Sequence, residues 1–209
     1  MDDIEEILDS LLAALPALDA GQHPSSGTAF RRVEMDFGAT TGWFESPFGG
    51  ETDGFPAGKG PRPVYLVLDG DEVRAVLVQY GDTRPVEAIW EGDRLMTVSG
   101  LLVLHGRDIY AGTDIALQMA TRVHAALRLR TLGEGDWDRA AALAADLAEA
   151  GRDPEGSTVT TTPGDLDEGW LLVDDPAGPA LGCLIDPDGY SLVTCLDTDG
   201  NETAALLFR

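Results

Sequence analysis

Short apolar segments separated by Gly and Asp turns constrain the fold of this chain more than any other feature. Between residues 64 and 104 they recur about every 8–12 residues, the spacing of consecutive antiparallel hairpins. Both faces of Val73–Tyr80 are largely apolar, so this strand is expected to lie inside a sheet that is covered on both sides. The strands predicted here are Val64–Leu68, Val73–Tyr80, Val86–Trp90, Leu95–Val98 and Leu101–Leu104.

The same pattern returns near the C-terminus, where Pro, Gly and Asp turns separate five more apolar segments. Closer to the N-terminus, Phe30–Phe37 alternates apolar and charged residues, which predicts a half-buried strand. Together these segments indicate antiparallel β-meanders. The C-terminal strands are predicted at Val159–Thr162, Gly169–Val173, Ala180–Ile185, Tyr190–Leu196 and Thr203–Phe208.

Three segments have the periodicity of helices. Residues 3–19 carry aliphatic side chains at intervals of three and four, and acidic residues crowd the first turn, where the helix dipole favours them. Two further helices are predicted over residues 113–132 and 136–150, each with a good N-cap and a glycine stop. This pattern therefore predicts an N-terminal amphipathic helix and a central helical pair.

The predicted elements indicate an α+β fold, in which antiparallel β-meanders pack with these helices. The length allows a single domain over 1–209 or two halves, 1–110 and 111–209. The aliphatic stripe of residues 4–18 has to be buried. Two interpretations stay open, because the helix can dock on the chain's own sheet or form the interface of a homodimer.

Cysteine usage bears on the cellular compartment. The chain has two cysteines, Cys183 and Cys195. If the segments that carry them form a hairpin, neither of the two registers considered places the thiols opposite each other, as a disulfide requires. Reduced thiols and a cytoplasmic location are therefore expected. No apolar run is long enough to span a membrane, and the acidic N-terminus is unlike that of a signal peptide.

No motif for catalysis, cofactor binding or metal binding stands out. A Walker loop, a dinucleotide-binding glycine motif and a nucleophile elbow are absent from the sequence, and its cysteines and histidines lack the spacing of metal ligands. Ser99, His105 and Asp108 are residue types found in active sites, but their spacing is weak support. Residues 197–202 resemble half of a calcium loop without its later ligand positions, so a plain hairpin turn is expected. Neither a cofactor nor a metal is predicted.

The net charge of the chain is −23, from 37 acidic and 14 basic residues. Such a surface repels phosphate backbones and disfavours nucleic-acid binding. Residues 134–202 contain 17 acidic and two basic residues. This segment is either a solvated surface that aids solubility or a surface that recognises a basic protein. The acidic residues predicted to contact such a partner are Asp165, Asp167, Glu168, Asp174 and Asp175.

Residues 38–62 have no sustained period and carry seven glycines together with four large aromatic residues. Loops of this length without regular structure are uncommon and are usually functional or disordered. Two interpretations stay open: part of the segment forms a strand whose rings pack on the core, or the segment is a partner-binding loop. In the second case the contact residues are Trp43, Phe44, Phe48 and Phe55.

The sequence thus favours a non-enzymatic, acidic protein-binding module with a basic protein partner and no membrane association. Its most concrete form is a bacterial immunity or inhibitor protein that occludes a basic effector or toxin. One alternative is a secretion chaperone or adaptor that holds a client protein, with the helix stripe of residues 4–18 or a sheet edge as the holding surface. Another is an enzyme whose active site has no recognisable motif.

Overall fold

The computed structural model describes residues 2–22, 28–45, 52–70, 72–89, 94–95, 101–106, 160–161, 169–174, 179–185 and 190–209. Within these ranges the chain forms one helix, α1 (Asp2–Asp19), and a series of strands. The strands are β1 (Ala29–Phe37), β2 (Gly42–Glu45), β3 (Thr52–Phe55), β4 (Gly60–Asp69), β5 (Glu72–Gln79), β6 (Glu87–Ile89), β7 (Arg94–Leu95), β8 (Leu101–His105), β9 (Thr160–Thr161), β10 (Trp170–Asp174), β11 (Ala180–Leu184), β12 (Tyr190–Leu196) and β13 (Glu202–Phe208).

The strands form two sheets. Sheet 1 has the order β1-β4-β5-β13-β12-β6, with β7 also paired to β12, and sheet 2 has the order β3-β2-β8-β11-β10-β9. Every strand pair in both sheets is antiparallel. The prediction of antiparallel pairing is therefore confirmed for the described strands. Each sheet also combines strands from the N-terminal half of the chain with strands from its C-terminal quarter.

Sheet 1 is the middle layer, between sheet 2 and α1. One apolar cluster fills the space between the two sheets, and a second joins α1 to the other face of sheet 1. The central strand β5 contributes to both clusters, because Val76 and Val78 point towards sheet 2 whereas Ala75 and Leu77 point towards α1. All four side chains are fully buried. The prediction that this strand is covered on both sides is confirmed.

The aliphatic stripe of α1 docks on the chain's own sheet. Ile7, Leu11 and Leu15 are buried in the second cluster together with side chains from sheet 1. The first of the two interpretations of this stripe is therefore confirmed. The helix ends after Asp19, where Gly21 adopts a positive φ of 71° that favours glycine. Within the described ranges α1 is the only helix, and it is not apolar enough to cross a membrane.

The predicted α+β class is wrong for the part of the chain that the structure describes. Most of these residues lie in strands, and their only helix is α1. β8 and β11 were expected in two separate meanders, but they pair with each other in a second sheet. This second sheet covers the face of sheet 1 opposite α1. The two predicted central helices, 113–132 and 136–150, lie outside the described residues.

The strand order also differs from two simple meanders. β4 and β5 form the predicted hairpin, with Val64 opposite Val78. β13 then pairs with β5, so that β6, the next strand in the sequence, lies beside β12 instead. Apolar alternation identifies strands but leaves their partners open, since neighbours in sequence pair in only about two-thirds of cases.

The predicted hairpin that carries the two cysteines is absent. Cys183 lies on β11 in sheet 2, whereas Cys195 lies on β12 in sheet 1. Cys183 belongs to the cluster between the sheets and Cys195 to the cluster under α1, so a layer of backbone separates the thiols. Both cysteines are unpaired, as predicted, although sheet membership rather than hairpin register keeps them apart.

Candidate partner-binding groove

A groove of about 820 Å³ lies between the first turns of α1 and the chain that enters β6. Residues 86–89 line one side, and Ile4, Glu5, Leu8 and Asp9 line the other. The two sides are about 80 residues apart in sequence and meet because α1 packs against the β6 end of sheet 1. The volume falls within the range of about 300–1,000 Å³ that is typical of ligand pockets.

The walls of the groove are apolar. Ile4 and Leu8, buried residues at the N-terminal end of the helix stripe, both line the groove. Val86 is 51% exposed, which makes it the only exposed large hydrophobic side chain among the residues whose burial the structure describes. Its backbone N–H donates to the carbonyl of Leu196 at 2.7 Å, which fixes this exposed side chain next to β12. Together with Ile4 and Leu8, Val86 gives the groove an apolar lining.

The rim of the groove is acidic. Glu5 and Asp9 lie one helical turn apart on α1, and Glu87 is the first residue of β6. All three side chains are exposed, and none of the described residues that line the groove is basic. Three carboxylates of like charge around an apolar floor create a local potential that attracts cations.

One edge of β6 is open in the described structure. β6 pairs with β12 through Glu87–Leu196, Ala88–Cys195 and Ile89–Thr194, and no other described strand lies on its far side. In an edge strand, alternate backbone N–H and C=O groups point away from the sheet and can pair with another chain. The groove therefore combines apolar contacts and negative charge with a strand edge that pairs with no other strand among the described residues.

Three of the four aromatic residues that were candidates for a partner-binding loop lie on strands instead. Trp43 and Phe44 lie on β2 and Phe55 on β3, and these strands pair as a hairpin in sheet 2. Phe44 and Phe55 are buried in the cluster between the sheets, with ring centroids 5.1 Å apart, and Trp43 is half-buried. Phe48 lies outside the described residues. For Phe44 and Phe55 the structure therefore favours the core interpretation of this segment.

Two glycines explain why residues 42–55 lack the apolar–polar alternation that is typical of strands. Gly42 pairs with Phe55 across the hairpin, and Gly54 pairs with Trp43. The space that a Cβ would occupy at each glycine is filled by the ring of the opposite residue. The glycines thus serve close cross-strand packing rather than flexibility.

The predicted acidic contact residues are not brought to the groove by the described structure. Asp174 is the last residue of β10 and pairs with Thr160 at the β9 edge of sheet 2, whereas the groove belongs to sheet 1. Asp165, Asp167, Glu168 and Asp175 lie outside the described residues. The carboxylates at the groove come from α1 and β6, which sequence inspection did not single out.

A partly buried carboxylate–imidazole pair lies on sheet 2. His105 Nε2 is 3.0 Å from Glu45 Oε2, and His105 is only 2% exposed. Because Phe44 and Leu104 point into the core, their neighbours Glu45 and His105 point to the opposite face of the sheet. Such a pair fixes the orientation of the imidazole ring.

This pair does not complete a recognisable active site. Ser99 and Asp108, the candidate companions of His105, lie outside the described residues. A group of three or more residues with the geometry of metal ligands is absent from the described part of the chain. The sequence pointed to His105, but the partner Glu45 is 60 positions away and carries no local signal.

The calcium-like segment is a hairpin turn between β12 and β13, as predicted. The backbone N–H groups of Asp199 and Asn201 donate to Asp197 Oδ1 at 2.9 and 2.8 Å, and the hydroxyl of Thr83 donates to Oδ2 at 2.7 Å. These hydrogen bonds, first of all the one from Thr83, lower the pKa of the Asp197 carboxyl to about 2. Asp197 therefore stays ionised as the acceptor that closes its own turn.

Sequence inspection missed the groove because its two sides are distant in the sequence. The available signals were the pairing of acidic and aliphatic residues in Ile4–Asp9 and an apolar strand, residues 86–89, that follows a proline. Neither signal indicates that the two segments meet. Comparisons of the chain with known protein families, with curated proteins and with solved structures find no significant match.

Proposed function

We propose that this chain is a non-enzymatic, acidic protein-binding module, most concretely a bacterial immunity or inhibitor protein that occludes a basic effector in the cytoplasm. The observation that carries the proposal is the groove between α1 and β6. It presents exposed Val86 beside Glu5, Asp9 and Glu87, without a basic residue among the described lining. An apolar floor with an acidic rim fits a partner surface in which basic and apolar residues alternate.

The overall charge supports the same proposal. A net charge of −23 creates a field that draws a basic protein towards the chain and orients it before contact. Charge alone gives little specificity, because any cationic surface is attracted. The groove adds contacts that are desolvated on binding, and these contribute most of the affinity in protein interfaces.

The form of the chaperone alternative that holds a client on the helix stripe receives less support from the structure. Holding a client on the aliphatic stripe of α1 requires an accessible stripe, and sheet 1 covers it. A homodimer through residues 4–18 would meet the same obstacle, and the exposed side of this helix, which includes Glu5 and Asp9, would bring like charges together. Among the described residues, the enzyme alternative rests on Glu45 and His105.

The test is capture of the native partner. The tagged chain is incubated with lysate of its host at low salt, eluted with a salt step, and the eluate is identified by mass spectrometry. We expect one stoichiometric basic protein whose activity falls when the purified chain is added. A monomeric chain that retains no basic protein, or a partner whose activity is unchanged by the chain, would contradict the proposal.

A further inference from the structure

We propose that the groove binds an extended segment of the basic partner, and that this segment adds to β6 as a further strand of sheet 1. The inference rests on the proposed function and specifies how the partner is held. The occupant is a segment in which lysine or arginine alternates with aliphatic residues.

The open edge of β6 favours an extended occupant over a helical one. A strand placed beside β6 can satisfy the outward backbone groups of Glu87–Ile89 with its own N–H and C=O groups. A helix cannot do so, because its backbone groups already bond internally. β6 has three residues, so main-chain pairing covers only about 10 Å of the partner. The side chains therefore have to supply the rest of the affinity.

Side-chain alternation matches the chemistry of the groove. Ala88 pairs with Cys195, whose side chain lies under α1, so Ala88 faces the helix and its neighbours Glu87 and Ile89 face the other way. In an added strand, residues i and i+2 share a face. Aliphatic residues on the helix side would meet Ile4, Leu8 and Val86, and the alternating basic residues on the opposite face would lie on the side of Glu87.

Charge complementarity identifies the chemistry of the segment. The described lining has three carboxylates and no cation, so an acidic segment would be repelled and a purely apolar one would leave the carboxylates beside an apolar surface. A basic residue placed against Glu5, Asp9 or Glu87 avoids both the charge repulsion and the contact of unpaired carboxylates with an apolar surface. These carboxylates are exposed, so their contribution decreases with salt.

The experiment uses a short synthetic peptide with alternating lysine and valine, blocked at both ends, and the full-length chain. A second peptide has the same sequence with N-methyl groups at alternate residues, which removes backbone donors and leaves the charge unchanged. Two triple variants separate attraction of the peptide to the groove carboxylates from attraction to the overall negative charge of the chain. The groove variant carries Glu5→Gln, Asp9→Asn and Glu87→Gln, and the opposite-edge variant carries Glu34→Gln, Asp36→Asn and Asp69→Asn on β1 and β4.

We expect the N-methylated peptide and the groove variant each to weaken binding by about tenfold or more, and the opposite-edge variant by about twofold or less. Peptide binding should also slow hydrogen exchange of the amides in residues 86–89. Equal binding of both peptides, equal losses in both variants, or unchanged exchange at β6 would overturn the inference. If the native partner is captured but the groove variant binds it normally, the proposed function stands and the strand-addition inference fails. If the peptide binds as expected but no native basic protein is captured, the groove inference stands and the inhibitor function fails.

Discussion

The hydroxyl of Tyr65 on β4 donates a hydrogen bond of 2.7 Å to Oδ1 of Asp19, the last residue of α1. An acidic residue at this end of a helix faces the negative end of the helix dipole. Arg32 and Arg84 compensate, with nitrogen–oxygen distances of 3.3 and 3.0 Å to the same carboxylate. Asp19 therefore joins the C-terminal end of α1 to three separate segments of the sheet layer.

Tyr65→Phe should lower the free energy of unfolding by about 1 kcal/mol, since it removes one hydrogen bond and leaves the ring in place. Urea denaturation followed by circular dichroism measures the change. The control is Glu6→Gln on the exposed side of the same helix, for which we expect a change within about 0.5 kcal/mol. Equal effects of the two substitutions would show that Asp19 and Tyr65 do not hold the helix on the sheet.

Asp197 should make stability depend on pH in the acid range. Its hydrogen bonds from Thr83, Asn201 and Asp199 lower the pKa of the folded carboxyl to about 2, whereas the ordinary value is 3.8. The group therefore contributes stability that is present above pH 3.8 and is lost as the pH falls towards 2. Thermal unfolding at several pH values should show a smaller loss in this window for Thr83→Val than for the parent chain. An unchanged pH profile in the Thr83→Val variant would contradict this assignment.

Phe44→Ala should lower the free energy of unfolding by about 3–5 kcal/mol, because the ring is fully buried between the sheets. The half-buried ring of Trp43, its neighbour on β2, provides the comparison, and Trp43→Ala should cost less. Urea denaturation of both variants gives the two values. A Phe44→Ala variant with the stability of the parent chain and weakened partner binding would instead support a binding role for this segment.

Both thiols should react only after unfolding. Burial raises the pKa of the Cys195 thiol to about 12, and it also raises the pKa of the Cys183 thiol well above its usual range. Alkylation followed by mass spectrometry should therefore find little modification of the native chain and two modified cysteines in denaturant. Rapid modification of the native chain at either cysteine would show that the apolar cluster around that cysteine opens readily to solvent.

The sequence predicted local structure well where the buried faces of one helix or strand, or the residues of one turn, determine it. The stripe of α1, the double burial of β5 and the turn at Asp197 all follow from residues that are neighbours in the chain. Pairing was less predictable, because the alternation along a strand identifies its buried face but leaves the neighbouring strand open. The cysteine hairpin failed for this reason, since β11 and β12, which carry the two cysteines, belong to different sheets.

The candidate site was harder to predict than the fold. Aromatic and acidic composition drew attention to residues 38–62 and 134–202, yet Phe44 and Phe55 pack in the core. The groove depends on the contact between α1 and β6, which no local pattern encodes. Its signature is an apolar side chain, Val86, that stays exposed after folding, and only the structure identifies such a residue.

The most direct test of the account is the rate at which the captured basic partner associates with the chain at several salt concentrations. We predict that salt slows association of the parent chain, and that neutralising Glu5, Asp9 and Glu87 weakens binding far more than neutralising Glu34, Asp36 and Asp69. This result would locate the interface at the groove. Association that is insensitive to salt, or equal weakening by the two triple variants, would contradict the central claim that the acidic groove recognises a basic partner.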